Sequence, residues 1–265
     1  MHDTAYESGR LFLETYCNSD HMIVEIGSQN VNGSLRDFCP KGAIYLGIDV
    51  NHGPGVDLCV VPGKELPLRA EFADAVISSS VFEHDSCFWE TFVELVRILK
   101  PGGFLYVNAP SNGAYHRYPR DCWRFYPDCG EAFVALARAR NYPLTLVESF
   151  IAERHDDHWN DLVAIFIKSD DVNCRPLRFL SDLVPCKNIT RVGADSPLEL
   201  SDRTEDMRII DGLANEIAEL KATLLELKAR EETLRAEFKV TDASLVECVD
   251  HLAPEQRRGS REVEV

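Results

Sequence analysis

Apolar runs recur at 22–26, 44–48, 56–61, 75–80 and 103–109, with polar or glycine-bearing stretches between them. Runs of this length bounded by breakers predict buried strands. Ahead of the first, Tyr6, Leu11, Phe12 and Tyr16 fall at roughly helical spacing within 5–17, which predicts a leading helix. Phe88 to Leu99 is also apolar with helical period and runs into Lys100-Pro101-Gly102-Gly103. Proline and glycine there are expected to end the helix and turn the chain into the next strand. A further helix is predicted from Asp128 to Arg140, then strands near 144–151 and 161–168. The loop between these two is too short for a parallel crossover, so they are expected to pair as an antiparallel hairpin. The predicted order is five βα-type units closed by an antiparallel pair.

From 169 to 203 the pattern decays into a Pro- and Asp-containing stretch, which reads as a linker. Beyond it, Ile210, Leu213, Ile217, Leu220, Leu224, Leu227, Leu234 and Phe238 alternate spacings of three and four, broken only by Glu231. Such a seam, flanked by Glu, Lys and Arg, predicts a coiled coil over 204–240. The alternative is a single amphipathic helix lying on the preceding domain. The charged segment 241–265 is expected to be a disordered tail.

Composition narrows the partners. Twenty-eight basic against 44 acidic residues leave a net charge of −16, which argues against nonspecific binding to nucleic acid or an anionic membrane. No apolar run approaches 18 residues, and Met1 to Arg10 is too polar for a signal peptide. The nine cysteines are scattered without a C-x-x-C pair, the pattern of reduced thiols in a cytoplasmic protein. The coiled coil would make the chain a homo-oligomer or dock it on a partner protein.

The sharpest chemical signal is Val24-Glu25-Ile26-Gly27-Ser28-Gln29-Asn30-Val31-Asn32-Gly33-Ser34, a strand running into a glycine-bearing turn. Glycine lets the backbone approach a ligand, and a strand-to-helix turn would aim free N–H groups at it. Asp49 ends the next strand, where a carboxylate accepts from ribose hydroxyls. An NAD-dependent oxidoreductase shares this turn and this Asp, but a dinucleotide fold normally continues with parallel strands.

Six further blocks extend the pattern in order: Tyr45-Leu46-Gly47-Ile48-Asp49, Gly53-Pro54-Gly55-Val56-Asp57, Leu66-Pro67, Phe72-Ala73-Asp74-Ala75-Val76-Ile77-Ser78, Val81-Phe82-Glu83-His84 and Leu99-Lys100-Pro101-Gly102-Gly103. With the glycine turn, they make residues 6–168 resemble a class I S-adenosylmethionine-dependent methyltransferase. The likeness is to the small-molecule branch met near polysaccharide and glycosyl-transfer functions. It implies an α/β fold with a Rossmann-like seven-stranded sheet and an antiparallel last strand, in a domain over 1–168 followed by the C-terminal coiled-coil helix. It implies S-adenosyl-L-methionine as cofactor, with Glu25, Gly27, Ser28 and Gly33 in the cofactor loop and Asp49 on the ribose. Val61 and its neighbours would lie near the adenine, with Ser79 and Ser80 beneath the methionine end. Gln29 departs from the family pattern, which has a second glycine there.

The acceptor side is read from Ala109-Pro110-Ser111, His116-Arg117-Tyr118-Pro119 and Asp121-Cys122-Trp123-Arg124-Phe125-Tyr126-Pro127. This block follows the fifth strand, at the carboxyl edge where open α/β sheets bind ligands. His116 is the candidate base with Asp121 its partner, and Tyr118, Trp123, Arg124 and His155 are candidate substrate contacts. The competing reading has His116 and Asp121 bracing the loop while Arg124 pairs internally. His84 is expected either to touch the cofactor or to cap the following helix. His155, Asp156, Asp157 and His158 suit a divalent ion, but a solvated loop has the same composition, so no metal is expected. The predicted reaction is methyl transfer to an oxygen of a small-molecule or glycan acceptor, in the setting of surface-polysaccharide biosynthesis. The alternatives are the oxidoreductase and a non-catalytic scaffold acting through its coiled coil. A nucleic-acid acceptor is disfavoured by charge and by the lack of an Asn/Asp-Pro-Pro-aromatic motif after the fourth strand.

Overall fold

A computed structural model describes residues 2–171 and 176–252, in two compact units that divide after Asp202. In the first unit, helix α1 (Asp3–Tyr16) precedes strands β1 (Met22–Ile26), β2 (Ile44–Asp49), β3 (Leu58–Cys59) and β4 (Ala73–Ser79). Helix α2 (Phe88–Ile98), β5 (Leu99–Pro110), α3 (Cys129–Ala139), β6 (Thr145–Ala152), β7 (Asp161–Ile167) and β8 (Cys186–Arg191) follow. The sheet order is β3-β2-β1-β4-β5-β7-β6-β8. The first five strands pair in parallel, and β7 lies antiparallel between β5 and β6. This is the expected closing hairpin.

Period-two alternation splits the core between the two sheet faces. Val24, Val76, Leu105 and Leu162 pack with Phe92 of α2 and Phe133 of α3. Ile23, Ile77, Tyr106 and Val163 face the other way, onto Phe12 and Leu13 of α1. Because both faces are covered, β4 and β7 are buried almost throughout rather than on alternate residues.

Four expectations need correction. First, β1 is not followed by an α-helix. The Ser-Gln-Asn-Val-Asn-Gly-Ser run has no apolar stripe to bury, and only a 3₁₀ turn forms at Leu35–Phe38, begun by Ser34 Oγ accepting from Arg36 N. Second, Lys100 to Gly103 do not separate α2 from a strand. The helix ends at Ile98 and these residues bulge within β5, where Ala73 pairs Leu99 and Ala75 pairs Phe104.

Third, the stretch 169–203 is not a free linker, because part of it completes the sheet. β8 pairs antiparallel with β6, adding an eighth strand to the seven expected. Its anchor is Glu148, whose buried carboxylate accepts from Leu180 N at 2.7 Å, Ser181 N at 3.1 Å and Tyr16 Oη at 3.1 Å, and from Ser181 Oγ. Burial pushes that carboxyl up, and these donors hold it against the cost of leaving water. Leu180 and Ile189 are buried beside it. Fourth, in the second unit helix α4 (Glu205–Leu252) runs on past 240 through the first part of the expected tail. The rest of that tail, 253–265, lies outside the described residues. The seam side chains from Ile210 to Phe238 are all exposed, and Leu245 continues their register.

Candidate active site

The cofactor loop is fixed by its backbone. Gly27 has φ +78°, and a Cβ there would lie 2.2 Å from Val81 Cγ2, so only glycine passes between β1 and the turn after β4. The amides of Gly27 and Ser28 both donate to Ile48 O, at 2.9 and 3.2 Å, tying the loop to the end of β2. Beside them the Asp49 carboxylate accepts from Gln29 N and Asn51 N, each at 3.1 Å on a separate oxygen. Each oxygen keeps further acceptor capacity, as a ribose diol requires. A cradle that a Cβ would fill, next to a positioned carboxylate, fits S-adenosylmethionine.

The other expected loop residues divide. Gly33 (φ +106°) packs under the Tyr6 ring of α1, 3.0 Å from where its Cβ would be. Ser28 is buried and turned under the loop, its Oγ 2.6 Å from a Cβ placed on Gly47. Glu25 lies on the α1 face of the sheet, where its carboxyl accepts from Tyr45 Oη at 2.9 Å and burial pushes it up to about 7. Val61 is exposed on the turn that follows the Val60 N to Asp49 O bond.

At the ends of β4 and β5, Ser79 Oγ donates to Asn108 Oδ1 at 3.3 Å and Ser80 N to Asn108 O at 3.0 Å. The chain then turns through Val81 to His84. Phe82 enters a cluster of rings with Phe88, Phe92, Phe125 and Phe133. Glu83 is fully buried, with its carboxyl pushed up by burial to about 8. His84 does not cap α2. Its Nδ1 meets the Arg120 carbonyl, the N-cap is Cys87, and Asp85 accepts from Cys87 N at 2.8 Å.

The loop after β5 is knit around Asp121. Arg124 grips that carboxylate with both Nη atoms, at 2.6 and 2.9 Å, and also donates to Trp123 O and Ala114 O. His116 N adds a bond at 2.7 Å. Arg124 above all holds the Asp121 carboxyl down at about 2, so it orients its neighbours as an anion and does not take up protons near neutrality. The His116 imidazole lies 3.6 Å from Asp121 Oδ2, edge-on to the rings of Trp159 and His84, each with its centroid 4.9 Å away. Tyr118 Oη reaches Gln29 Oε1 at 3.2 Å. Trp123 is part-exposed and donates to Asp85 O at 2.9 Å.

The structure therefore gathers His116, Asp121, Arg124 and Tyr118 on one edge of the sheet, with the cofactor loop. His155 is 77% exposed and lies against Asp3 of α1 and Asp156 instead. Beside this site, the buried polar residues Glu83, Asn108 and Asp161 received no role from the sequence. Asp161 heads β7, accepts from Thr4 Oγ1 and is pushed up by burial to about 6. Only Asn108, within Tyr106-Val107-Asn108-Ala109, stands out in the sequence as a polar side chain set among apolar neighbours.

Residues 33–107 match the family described as a methyltransferase domain. A tRNA (carboxymethyluridine(34)-5-O)-methyltransferase of Arabidopsis thaliana is 36% identical over 107 residues, covering 36% of this chain and 25% of that protein. The chain thus spans about a quarter of the length of the relative it matches. Among solved structures, the 1,6-didemethyltoxoflavin-N1-methyltransferase of Burkholderia thailandensis, with S-adenosylhomocysteine bound, is 16% identical over 63% of this chain and 79% of its own, with TM-score 0.48. A SAM-dependent methyltransferase of Methanosarcina mazei is 15% identical over 58% of this chain and 95% of its own, with TM-score 0.43.

Proposed function

Since the chain carries a class I S-adenosylmethionine-dependent methyltransferase domain, we propose that it methylates an oxygen of a small-molecule or glycan acceptor. The observation that carries this reading is the His116 imidazole, set over the Asp121–Arg124 pair in a loop that Tyr118 joins to the cofactor loop. When bound, the cofactor supplies a sulfonium methyl group for in-line displacement. The chain's own part is to hold the acceptor hydroxyl and take its proton on the imidazole as the new C–O bond forms. Asp121 stays ionised beside the ring and orients it. Trp123 and Tyr118 offer exposed aromatic faces to a sugar-like acceptor. Biosynthesis of a surface polysaccharide is the setting we assign, on motif resemblance.

The test is methyl transfer from isotopically labelled S-adenosylmethionine to a panel of hydroxylated small molecules and oligosaccharides. His116→Gln should lower kcat by about 10²–10⁴-fold while S-adenosylhomocysteine still binds. Unchanged turnover in that variant would remove the base. A second acceptor class is suggested by the Arabidopsis relative, whose name gives it a tRNA nucleoside. The net charge of −16 weighs against a polyanionic acceptor here. Bulk tRNA belongs in the same panel.

For α4 we propose pairing with a second copy of the chain through the Ile210–Phe238 seam. The support is its heptad spacing and the exposure of every side chain in it.

A further inference from the structure

Glu83 is fully buried, yet among the described residues neither of its carboxylate oxygens has a hydrogen-bond partner. A carboxylate withdrawn from water in this way needs a proton or a cation. Two imidazoles stand beside it. His84 Nε2 lies 3.6 Å from Glu83 Oε1, and one ligand atom from each of Glu83, His84 and His116 falls within 4.8 Å of the others. The opposite nitrogen of His84 faces the Arg120 carbonyl, which can only accept, so Nδ1 carries the proton and Nε2 turns its lone pair toward Glu83. A carbonyl behind the ring is the arrangement that fixes a metal-ligating histidine. His116 is held at its main-chain N–H by Asp121, and its side chain is one-third exposed, which leaves an open side to the cluster.

We propose that Glu83, His84 and His116 form a site for a divalent transition-metal cation. Two imidazoles and one carboxylate with open positions suit zinc, cobalt or manganese better than magnesium. The use of the ion rests on the methyltransferase reading and alters one part of it. With the cation bound, His116 gives its lone pair to the metal and no longer accepts a proton. The acceptor hydroxyl occupies an open position, its acidity is raised by the metal, and its proton leaves to water before the oxygen takes the methyl group. Binding of the ion itself needs no assumption about the reaction.

The test titrates the full chain, first stripped of metal with a chelator, with Co²⁺ alone. The expected result is one saturable site with visible d–d absorption and no thiolate-to-cobalt charge transfer, despite the nine cysteines. Glu83→Gln and His84→Gln should each weaken Co²⁺ binding at least about tenfold. Asp3→Asn combined with Asp156→Asn removes the other, more exposed cluster of Asp3, His155 and Asp156 and should leave the affinity unchanged. Calorimetry with S-adenosylhomocysteine on the same samples shows that each variant is folded. Co²⁺ binding that fails to saturate, or that Glu83→Gln leaves intact, overturns the site while the cofactor reading stands. A wild-type chain that ignores S-adenosylhomocysteine but binds Co²⁺ would overturn the cofactor reading and leave the cation site.

Discussion

The Tyr118 hydroxyl donates to Gln29 Oε1 at 3.2 Å, a bond between residues 89 apart in sequence. Gln29 stands where a methyltransferase loop commonly has glycine, and its own amide donates to Asp49. One residue thus links Asp49, the carboxylate proposed for the ribose, to the loop proposed to hold the acceptor. Tyr118→Phe removes a single exposed hydrogen bond, worth about 1 kcal/mol. KM for S-adenosylmethionine should rise about fivefold with little change in melting temperature. Steady-state kinetics that move neither KM nor kcat would show the two loops to be independent.

Gly27→Ala should be the costlier of two glycine substitutions. At Gly27 a positive φ combines with a Cβ 2.2 Å from Val81 Cγ2, whereas Gly102 has a similar φ with nothing within 4 Å. Strain alone costs about 1 kcal/mol, and strain with overpacking about 2–4 kcal/mol. Denaturant unfolding compares the two, and Gly27→Ala should also lose at least about tenfold in S-adenosylhomocysteine affinity. Equal destabilisation at both positions would mean that the loop yields around the methyl.

Glu25 sets a pH dependence. Its carboxyl rises from an ordinary 4.5 to about 7 because of burial, so between those values the unfolded chain is ionised while the native chain holds its proton. Relative to Glu25→Gln, the wild type is favoured fully below pH 4.5. It loses that contribution as pH rises to about 7, by on the order of 3 kcal/mol in all. Melting curves of both proteins from pH 4 to 8 should diverge across that window and run parallel above it. A gap of constant size would place the ionisable group elsewhere.

Truncation separates the two units. A chain ending at Asp202 keeps β8 and should bind S-adenosylhomocysteine like the full chain. One ending at Lys168 leaves the Glu148 carboxylate without Leu180 N and Ser181 N and uncovers β6. It should aggregate or melt far lower. If both fragments melted together, β8 would be an accessory.

The seam of α4 predicts an assembly. Light scattering on the full chain should give twice the monomer mass. Leu213→Glu, Leu220→Glu and Leu227→Glu together should return it to a monomer with S-adenosylhomocysteine binding unaltered. A monomeric wild type would refute the pairing.

The parts of the fold legible in the sequence were those written in hydrophobic period. The parallel strands, α2, α3 and the hairpin all carry apolar runs with clear breaks, and the short hairpin loop allowed one pairing sense. β8 was hidden because Cys186-Lys187-Asn188-Ile189-Thr190-Arg191 buries only Cys186 and Ile189 at a sheet margin. What anchors it, the Glu148 carboxylate, sits some 40 residues upstream on another strand. The site was legible where chemistry was clustered, from His116 to Arg124. Glu83 and Asp161 escaped because each stands beside other polar residues, His84 and Asp85 in one case and Asp156 to Asn160 in the other, and nothing in the order of residues marks which carboxylate is turned inward. Glu25 makes a related point, since its place in a cofactor motif says nothing of which sheet face its side chain occupies.

The edges of the sheet carry a consequence for solubility. An uncovered β6, with buried side chains along most of its length, would be a ready template for strand pairing with other molecules. β8 occupies that position and turns Lys187 and Arg191 toward its partners Glu199 and Asp182, while Ile189 bridges Leu198. The opposite margin is β3, only two residues long. Among the described residues neither rim offers a long apolar ladder to a passing chain, which disfavours strand addition between molecules.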